Sequence, residues 1–281
     1  MLRLLKIEWN KIYYYKTARV FTILYFILLS IIGGSFYLIF GFILKDQLGF
    51  SVDLSKTGFF NFPVIWQNMT YLLIFGKIFL AVIIITNITN EYSNKTLKQN
   101  LIDGLSKKEF LTSKLLTSMS LAIVSSIFVL IICLALGLIY SSTTNNFLDG
   151  IGYVGAYSLN LMFFLTFCSF VAFVTRKSAF ALLFVFIWWV TEWGLILTEI
   201  YIRKELVNET LTENTLIFTQ YLPLSSASSL LDFSNVNISG FMMGGTIFTY
   251  SDIDWKFIIV TLIYIAIFTF LSFRLLKKRD L

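Results

Sequence analysis

Three charged side chains lie inside long apolar runs of this sequence, where a charge is costly and is commonly functional. Lys77 interrupts YLLIFGKIFLAVIIITNIT, and Glu192 and Glu199 stand seven residues apart in FIWWVTEWGLILTEIYIRK. Ionisable groups at such depth usually pair with one another or carry a coupling ion. The expected heights of Lys77 and Glu192 in a bilayer differ by roughly 6 Å. Two interpretations follow: the two side chains pair, or Lys77 reaches towards the membrane surface while Glu192 faces a wet cleft.

Three tryptophans surround the first of these carboxylates. Trp188, Trp189 and Trp193 lie within four residues of Glu192. Aromatic side chains in an apolar run more often pack than bind a ligand, but they could also line a pathway. In the second case the molecule that passes them would be apolar or amphipathic.

The sequence contains few residues suited to catalysis or to metal binding. The chain has no histidine, which removes the commonest metal ligand and the usual general base at neutral pH. Cys133 and Cys168 both fall in apolar runs, where a lone cysteine is most often a small buried hydrophobe. No G-x-x-x-x-G-K-[ST] phosphate loop occurs. We therefore expect no enzyme activity and no cofactor or metal in this chain.

The elements that must hold these residues are membrane-spanning helices. The chain is 57% hydrophobic and 14% charged, whereas soluble domains are about 45–50% apolar and about 25% charged. A spanning helix needs about 20 mostly apolar residues. The sequence predicts an all-α polytopic membrane protein that forms a single domain over residues 1–281. The six predicted spans are Val20–Leu44, Met69–Ile88, Leu115–Tyr140, Gly152–Thr175, Ala179–Ile200 and Trp255–Phe273.

The distribution of basic residues predicts the orientation of these spans. Lysine and arginine are concentrated in cytoplasmic loops, and 16 of the 22 fall on one side of the predicted topology. That side includes both termini, so we expect a multi-pass protein of the cell membrane with both termini in the cytoplasm. The basic pI of about 9.2 then reflects topology and does not indicate a nucleic-acid partner. The 16 residues are Arg3, Lys6, Lys11, Lys16, Arg19, Lys95, Lys98, Lys107, Lys108, Lys114, Arg176, Lys177, Arg274, Lys277, Lys278 and Arg279.

Two segments outside the spans have patterns of their own. Residues 1–18 place apolar side chains at helical spacing, which predicts a helix lying in the membrane interface; the alternative is a frayed tail. Residues 201–254 form a long acidic extracytoplasmic segment that contains the apolar stretch TLIFTQYLPLSSASSLL. We expect short helices there that cap the outer mouth, and a mobile surface loop is the alternative.

The polar segment 90–112 separates the second and third spans. Leu97, Leu101 and Leu105 recur every four residues and form an apolar stripe on a short helix. Gly104 suits a helix C-terminus, and SKKE at 106–109 is a capping box that starts a second helix. The stripe could rest on the membrane or the neighbouring spans, or it could dock a soluble partner.

A family resemblance favours docking. The interfacial LRLLKIEWNKI, the six spans, the long segment before the last span, and the run from Glu91 through Thr96-Leu97 to LIDGLSKKEFLTSK resemble a permease subunit of an ATP-binding-cassette (ABC) exporter of the type-2 class. The resemblance implies that segment 90–112 is a coupling helix that fits a cleft on a separate ATPase subunit, which binds the ATP and magnesium. It also implies a second permease subunit, in a homodimer or heterodimer. The implied docking residues are Glu91, Thr96, Leu97, Leu101 and Leu105.

One alternative function comes from the intramembrane charges. An ion-coupled secondary transporter would use Lys77 and Glu192 as its coupling groups. Six spans without an internal repeat argue against it, because many such transporters are built from repeats. The sequence does not identify the transported molecule in either case.

Overall fold

The structure is a computed structural model, and it describes residues 2–48, 57–141, 147–207, 216–237 and 246–278. The side chains of residues 36–48 and 205–207 are outside this description. The acidic residues Glu209 and Glu213 of the 201–254 segment also lie outside the described residues.

The described residues are almost entirely helical, which confirms the predicted all-α class. Turns of 3-10 helix at Ile74–Gly76 and Thr219–Tyr221 and one antiparallel pair of two-residue strands, β1 (Asn235–Val236) and β2 (Phe248–Thr249), complete the secondary structure of the described part. The α-helices are α1 (Leu2–Tyr14), α2 (Lys16–Leu48), α3 (Val64–Leu73), α4 (Lys77–Ser93), α5 (Thr96–Ile102), α6 (Lys107–Tyr140), α7 (Gly152–Thr175), α8 (Ser178–Val207), α9 (Pro223–Ser228) and α10 (Trp255–Lys278).

Six helical units within the described ranges are long and apolar enough to cross a membrane, as predicted. They are α2, α3 with α4, α6, α7, α8 and α10. Several of these helices extend beyond the bounds of the predicted spans. The third starts at Lys107 and not at Leu115, because the capping box begins the helix two turns before the apolar run. The second is divided by the 3-10 turn Ile74–Gly76.

Helix α7 lies at the centre of the bundle. It packs against α4, α6, α8 and α10, and its large side chains Tyr157, Phe163 and Phe167 are fully buried. Helix α8 is the least buried of the six candidate spans. The core is therefore organised around the fourth span, and α8 lies at its side with much apolar surface exposed.

The two ends of the bundle differ. At one end, here called the α5 end, α1 packs against α6 and α2, next to the α5 corner. At the other, the β end, strands β1 and β2 pair beside residues 57–63. The backbone N–H of Ile247 donates to the Thr57 carbonyl at 2.9 Å, and that of Ser234 donates to the Asn68 side chain at 3.2 Å.

The 201–254 segment forms short helical elements, as predicted, and also contains the strand pair, which was not predicted. Strands of two residues carry too little periodicity to be recognised. Their position is fixed by polar side chains of α3, such as Gln67, whose amide donates to Ser251 Oγ at 2.7 Å.

Candidate functional sites at the two ends of the bundle

Helix α5 is a rigid corner between the second and third spans. It begins after Lys95 and is followed by Gly104, and both residues have left-handed backbone angles (φ 56° and 99°). The capping box is complete: the Glu109 N–H donates to Ser106 Oγ at 3.1 Å and the Ser106 N–H donates to Glu109 Oε2 at 2.9 Å. Two sharp turns and a capped helix fix the direction of α5 relative to α4 and α6.

The leucine stripe of α5 faces the chain itself. Leu97 is 2% exposed, and Leu101 and Leu105 are half-buried against the core. Thr96 is also half-buried. These residues therefore rest on the neighbouring spans, which was the alternative to docking.

The opposite face of α5 is exposed. Ile102 is 76% exposed, and Lys98, Gln99 and Asp103 are exposed beside it. An apolar side chain with polar neighbours on a short fixed helix is a candidate contact for a soluble partner.

Glu91 belongs to a buried cluster of four charges, here called the four-charge cluster: Glu8 and Lys11 of α1, Glu91 of α4 and Lys114 of α6. The Lys114 ammonium donates to Glu8 Oε2 at 2.7 Å and also to Glu91 Oε1. The Lys11 ammonium donates to Glu8 Oε1 at 2.8 Å and to Glu91 Oε1 at 2.9 Å. Two carboxylates thus neutralise two ammonium groups where three helices meet.

Lys114 is the centre of the four-charge cluster. It is 2% exposed, and its third acceptor is Asn87 Oδ1 at 2.5 Å. The three donors of the ammonium group are therefore all used. A buried ion pair is best tolerated when its remaining donors and acceptors are satisfied; within the described residues the donors of Lys114 meet this condition, whereas Glu91 Oε2 has no hydrogen-bond partner.

The neighbouring charges shift the pKa values of Glu8 and Lys11. Burial acts to raise the pKa of the Glu8 carboxyl, but the ammonium groups of Lys114 and Lys11 outweigh it, so the pKa is lowered from 4.5. Its contribution to stability is complete above that value and is lost as the pH falls through the lowered pKa. Burial acts to lower the pKa of Lys11, but Glu91 and Glu8 outweigh it and raise the pKa from 10.5. The Lys11 contribution is complete below 10.5 and is lost only above it, so both groups stabilise the fold at neutral pH.

This cluster was not predicted from the sequence. Lys11 and Lys114 were interpreted as topology signals and Glu91 as a docking residue. One signal was available: Glu8 is the only acidic residue before Asp46, in a helix that is otherwise basic. In the structure Glu91 is 5% exposed and faces its ion-pair partners.

The two intramembrane charges Lys77 and Glu192 have different partners in the structure. The Lys77 ammonium donates to Asn160 Oδ1 at 3.3 Å and lies 4.9 Å from the centre of the Phe164 ring. Glu192 accepts from the backbone N–H groups of Leu224 and Ser225, each at 3.0 Å to Oε2. The pair between Lys77 and Glu192, one of the two interpretations of the sequence, is therefore not formed within the chain.

Lys77 and Glu192 are nevertheless connected through α9. Glu192 binds the N–H groups of its first turn, and Asn160 Nδ2 donates to the Ala227 carbonyl near its end at 2.5 Å. The same Asn160 side chain accepts from Lys77. The Glu192 carboxylate thus lies at the positive N-terminal end of α9. The Lys77 ammonium lies near the negative C-terminal end, to which it is connected by the Asn160 amide. Each charge is therefore next to the end of the helix dipole that stabilises it.

Glu199 binds the residues that precede α9 in the same manner. It accepts from the backbone N–H groups of Ile217 at 2.7 Å, Phe218 at 3.2 Å and Thr219 at 2.8 Å. Together, the two carboxylates of α8 bind five backbone N–H groups of residues 217–225. We call Glu192, Glu199 and these amides the carboxylate clasp.

The three tryptophans divide between two environments. Trp188 is half-buried, packs against Phe167 with ring centres 5.7 Å apart, and donates its indole N–H to Glu192 Oε1 at 2.6 Å. Trp189 and Trp193 are 48% and 52% exposed. Trp188 therefore supports the clasp, while the other two face outward from α8.

Comparison with known proteins gives one family. A family model described as ABC-2 family transporter protein matches residues 2–281. No curated protein matches the chain.

Proposed function

The chain belongs to the ABC-2 family of transporter proteins, and from this premise we propose that it is the permease subunit of an ABC-type exporter. In this proposal two permease subunits, identical or different, enclose a pathway in the cell membrane. ATP and magnesium bind to separate ATPase subunits. The family match over nearly the whole chain is the observation that carries the proposal.

Both termini and α5 face the cytoplasm in this proposal. The 16 basic residues assigned above to one side of the membrane include those of α1, α5 and the end of α10. The rule that lysine and arginine concentrate on the inside supports this orientation. The ATPase subunits then approach the α5 end, and the 201–254 segment lies outside.

The exposed face of α5 is the proposed docking surface. Leu97 and Leu101 hold the helix to the permease, so the side that carries Ile102 is the one available to the ATPase. The four-charge cluster supports this role, because Glu91 and Lys114 lie on the two spans that flank α5. A force on α5 would reach α4 and α6 through this ion pair.

The outward end of the proposed exporter is the 201–254 segment. The carboxylate clasp fixes residues 217–225 to α8, and Leu230 and Leu231 are buried. A segment fastened to a span moves with that span, so it would act as a lid that follows the motion of α8.

Co-purification tests the proposed function. The affinity-tagged chain, extracted from its native membrane with mild detergent, should retain a chain that contains a phosphate loop in stoichiometric amount. Transport by the purified chain alone in liposomes, driven by an ion gradient, would instead support the secondary transporter.

Changing Ile102 to aspartate tests the docking surface. The retained ATPase should fall by about tenfold, because a central apolar contact is replaced by a charge. Val236→Asp is the matched control: Val236 is 56% exposed on β1 at the β end and lies outside the carboxylate clasp, so this substitution should leave ATPase retention unchanged. Equal retention by the Ile102 variant and the wild type would refute the assignment. Leu97→Asp is less informative, since this buried residue supports the fold.

A further inference from the structure

Lys77 lies well inside the second span. It stands 13 residues after the start of that span, Val64–Ser93, and 16 before its end. At about 1.5 Å per residue, it is roughly 20 Å from either end. Its ammonium group contacts Asn160, which also contacts α9, so the group lies one side chain away from the 201–254 segment.

The ammonium group of Lys77 has no carboxylate partner among the described residues. Within the described residues it donates one hydrogen bond, to Asn160, lies over the face of Phe164, and has the buried thiol of Cys168 nearby. An ammonium group has three donors, so two are left without a hydrogen-bond partner. Glu192 and Glu199, the two carboxylates of α8 whose side chains are described, are occupied by backbone amides.

The backbone is interrupted at the same place. The 3-10 turn Ile74–Gly76 ends directly before Lys77, and α4 begins with this residue. A 3-10 turn within a helix often marks a functional position. Spans that are broken near the midplane are common at the substrate sites of membrane transporters.

We propose that Lys77, with Asn160 and Phe164, binds the anionic group of an amphipathic molecule carried by the exporter. The inference rests on the proposed function for the statement that this molecule is exported. The two unused N–H donors fit a carboxylate or a phosphate ester, and Phe164 offers an apolar surface to the attached chain.

The site is connected to the lid. An anion bound to the two unused donors would share the ammonium group with Asn160 Oδ1, and Asn160 also holds the Ala227 carbonyl of α9. Occupation of the site would therefore act on one end of α9 through Asn160. The lid could thus respond to the presence of the bound molecule.

Energy transfer from tryptophan to pyrene measures binding to the permease without its ATPase. The protein is placed in nanodiscs and titrated with four pyrene-labelled alkyl probes of equal length: a carboxylate, a phosphate, the carboxylate's methyl ester and a trimethylammonium. One or both anionic probes should bind at least about tenfold more tightly than the ester, and comparison of the two identifies the preferred anion. The trimethylammonium probe should bind no better than the ester.

Substitutions assign the effect to Lys77. Lys77→Met should abolish the preference for anions, and Lys77→Arg should preserve it. Lys256→Met is the control, since it removes an equally charged lysine that is exposed at the β end beside Asp254. If Lys77→Met does not fold, the wild-type probe series still decides whether anions are preferred.

Two results would overturn this inference: equal affinities of the wild type for all four probes, or an anion preference that survives in Lys77→Met. Either would leave the export function standing, because these titrations contain no ATPase. Conversely, anion-selective binding by a chain that retains no ATPase would uphold the site and contradict the proposed function.

Discussion

Replacing Lys114 by methionine is expected to destabilise the protein by about 3–5 kcal/mol, because it leaves buried carboxylates without their shared cation. Lys114 binds Glu8, Glu91 and Asn87 at once, and Lys11 alone cannot replace these contacts. The loss should appear as a lower midpoint of thermal unfolding in detergent, followed by tryptophan fluorescence. Hydrogen exchange should also quicken in α1, which loses its ion pair with α6 and keeps the hydrogen bond from Trp9 to Ser120.

Lys108→Met provides the matched control on the same helix. Lys108 is exposed, so this variant removes the same charge without breaking a buried contact. The double variant Lys114→Met with Glu8→Gln should lose less than the sum of the two single losses, because the residues are in contact. Equal stability of the Lys114 and Lys108 variants would show that the four-charge cluster does not stabilise the fold.

Replacing Glu192 by leucine is expected to release α9 from α8. The substitution leaves the N–H groups of Leu224 and Ser225 without their acceptor, at about 1–3 kcal/mol for each buried donor. Hydrogen exchange in residues 216–231 should become much faster than in the wild type, where the lid should exchange slowly. The spans should keep their protection.

Thr191→Leu is the control for the clasp. Thr191 is exposed on α8 and its hydroxyl bonds only to the Ile187 carbonyl of its own helix, so lid exchange should not change. Fast exchange across 216–231 in the wild type would show that the segment is a mobile loop. Slow exchange that persists in Glu192→Leu would show that apolar packing, not the clasp, holds α9.

The corner at α5 shows how far local chemistry can be predicted. Gly104, the capping box and the leucine period all act within a few residues along the chain, so the helix–turn–helix geometry was predicted correctly. The pattern did not decide which way the leucine stripe faces. A four-residue period places an apolar stripe on one face of a helix, but it does not indicate whether the chain itself or a partner covers that stripe.

The intramembrane charges show the same difference between local features, which can be predicted, and distant contacts, which cannot. Lys77 and Glu192 were recognised from sequence as intramembrane charges, because each interrupts an apolar run. Their partners could not be predicted, since Asn160 lies 83 residues from Lys77 and Leu224 lies 32 from Glu192. Some of these partners are backbone N–H groups, and every residue except proline has one, so a sequence pattern cannot identify them.

The all-α class, the six spans, the expected orientation and the capped corner could be predicted from the sequence. They follow from composition, from the length of apolar runs relative to membrane thickness, and from short-range helix chemistry. The fold was needed to reveal that Glu8, Lys11, Glu91 and Lys114 form one cluster and that Glu192 and Glu199 hold the 201–254 segment. A buried charge takes whichever partner the packing of distant helices brings within about 3 Å, and that proximity is a property of the fold.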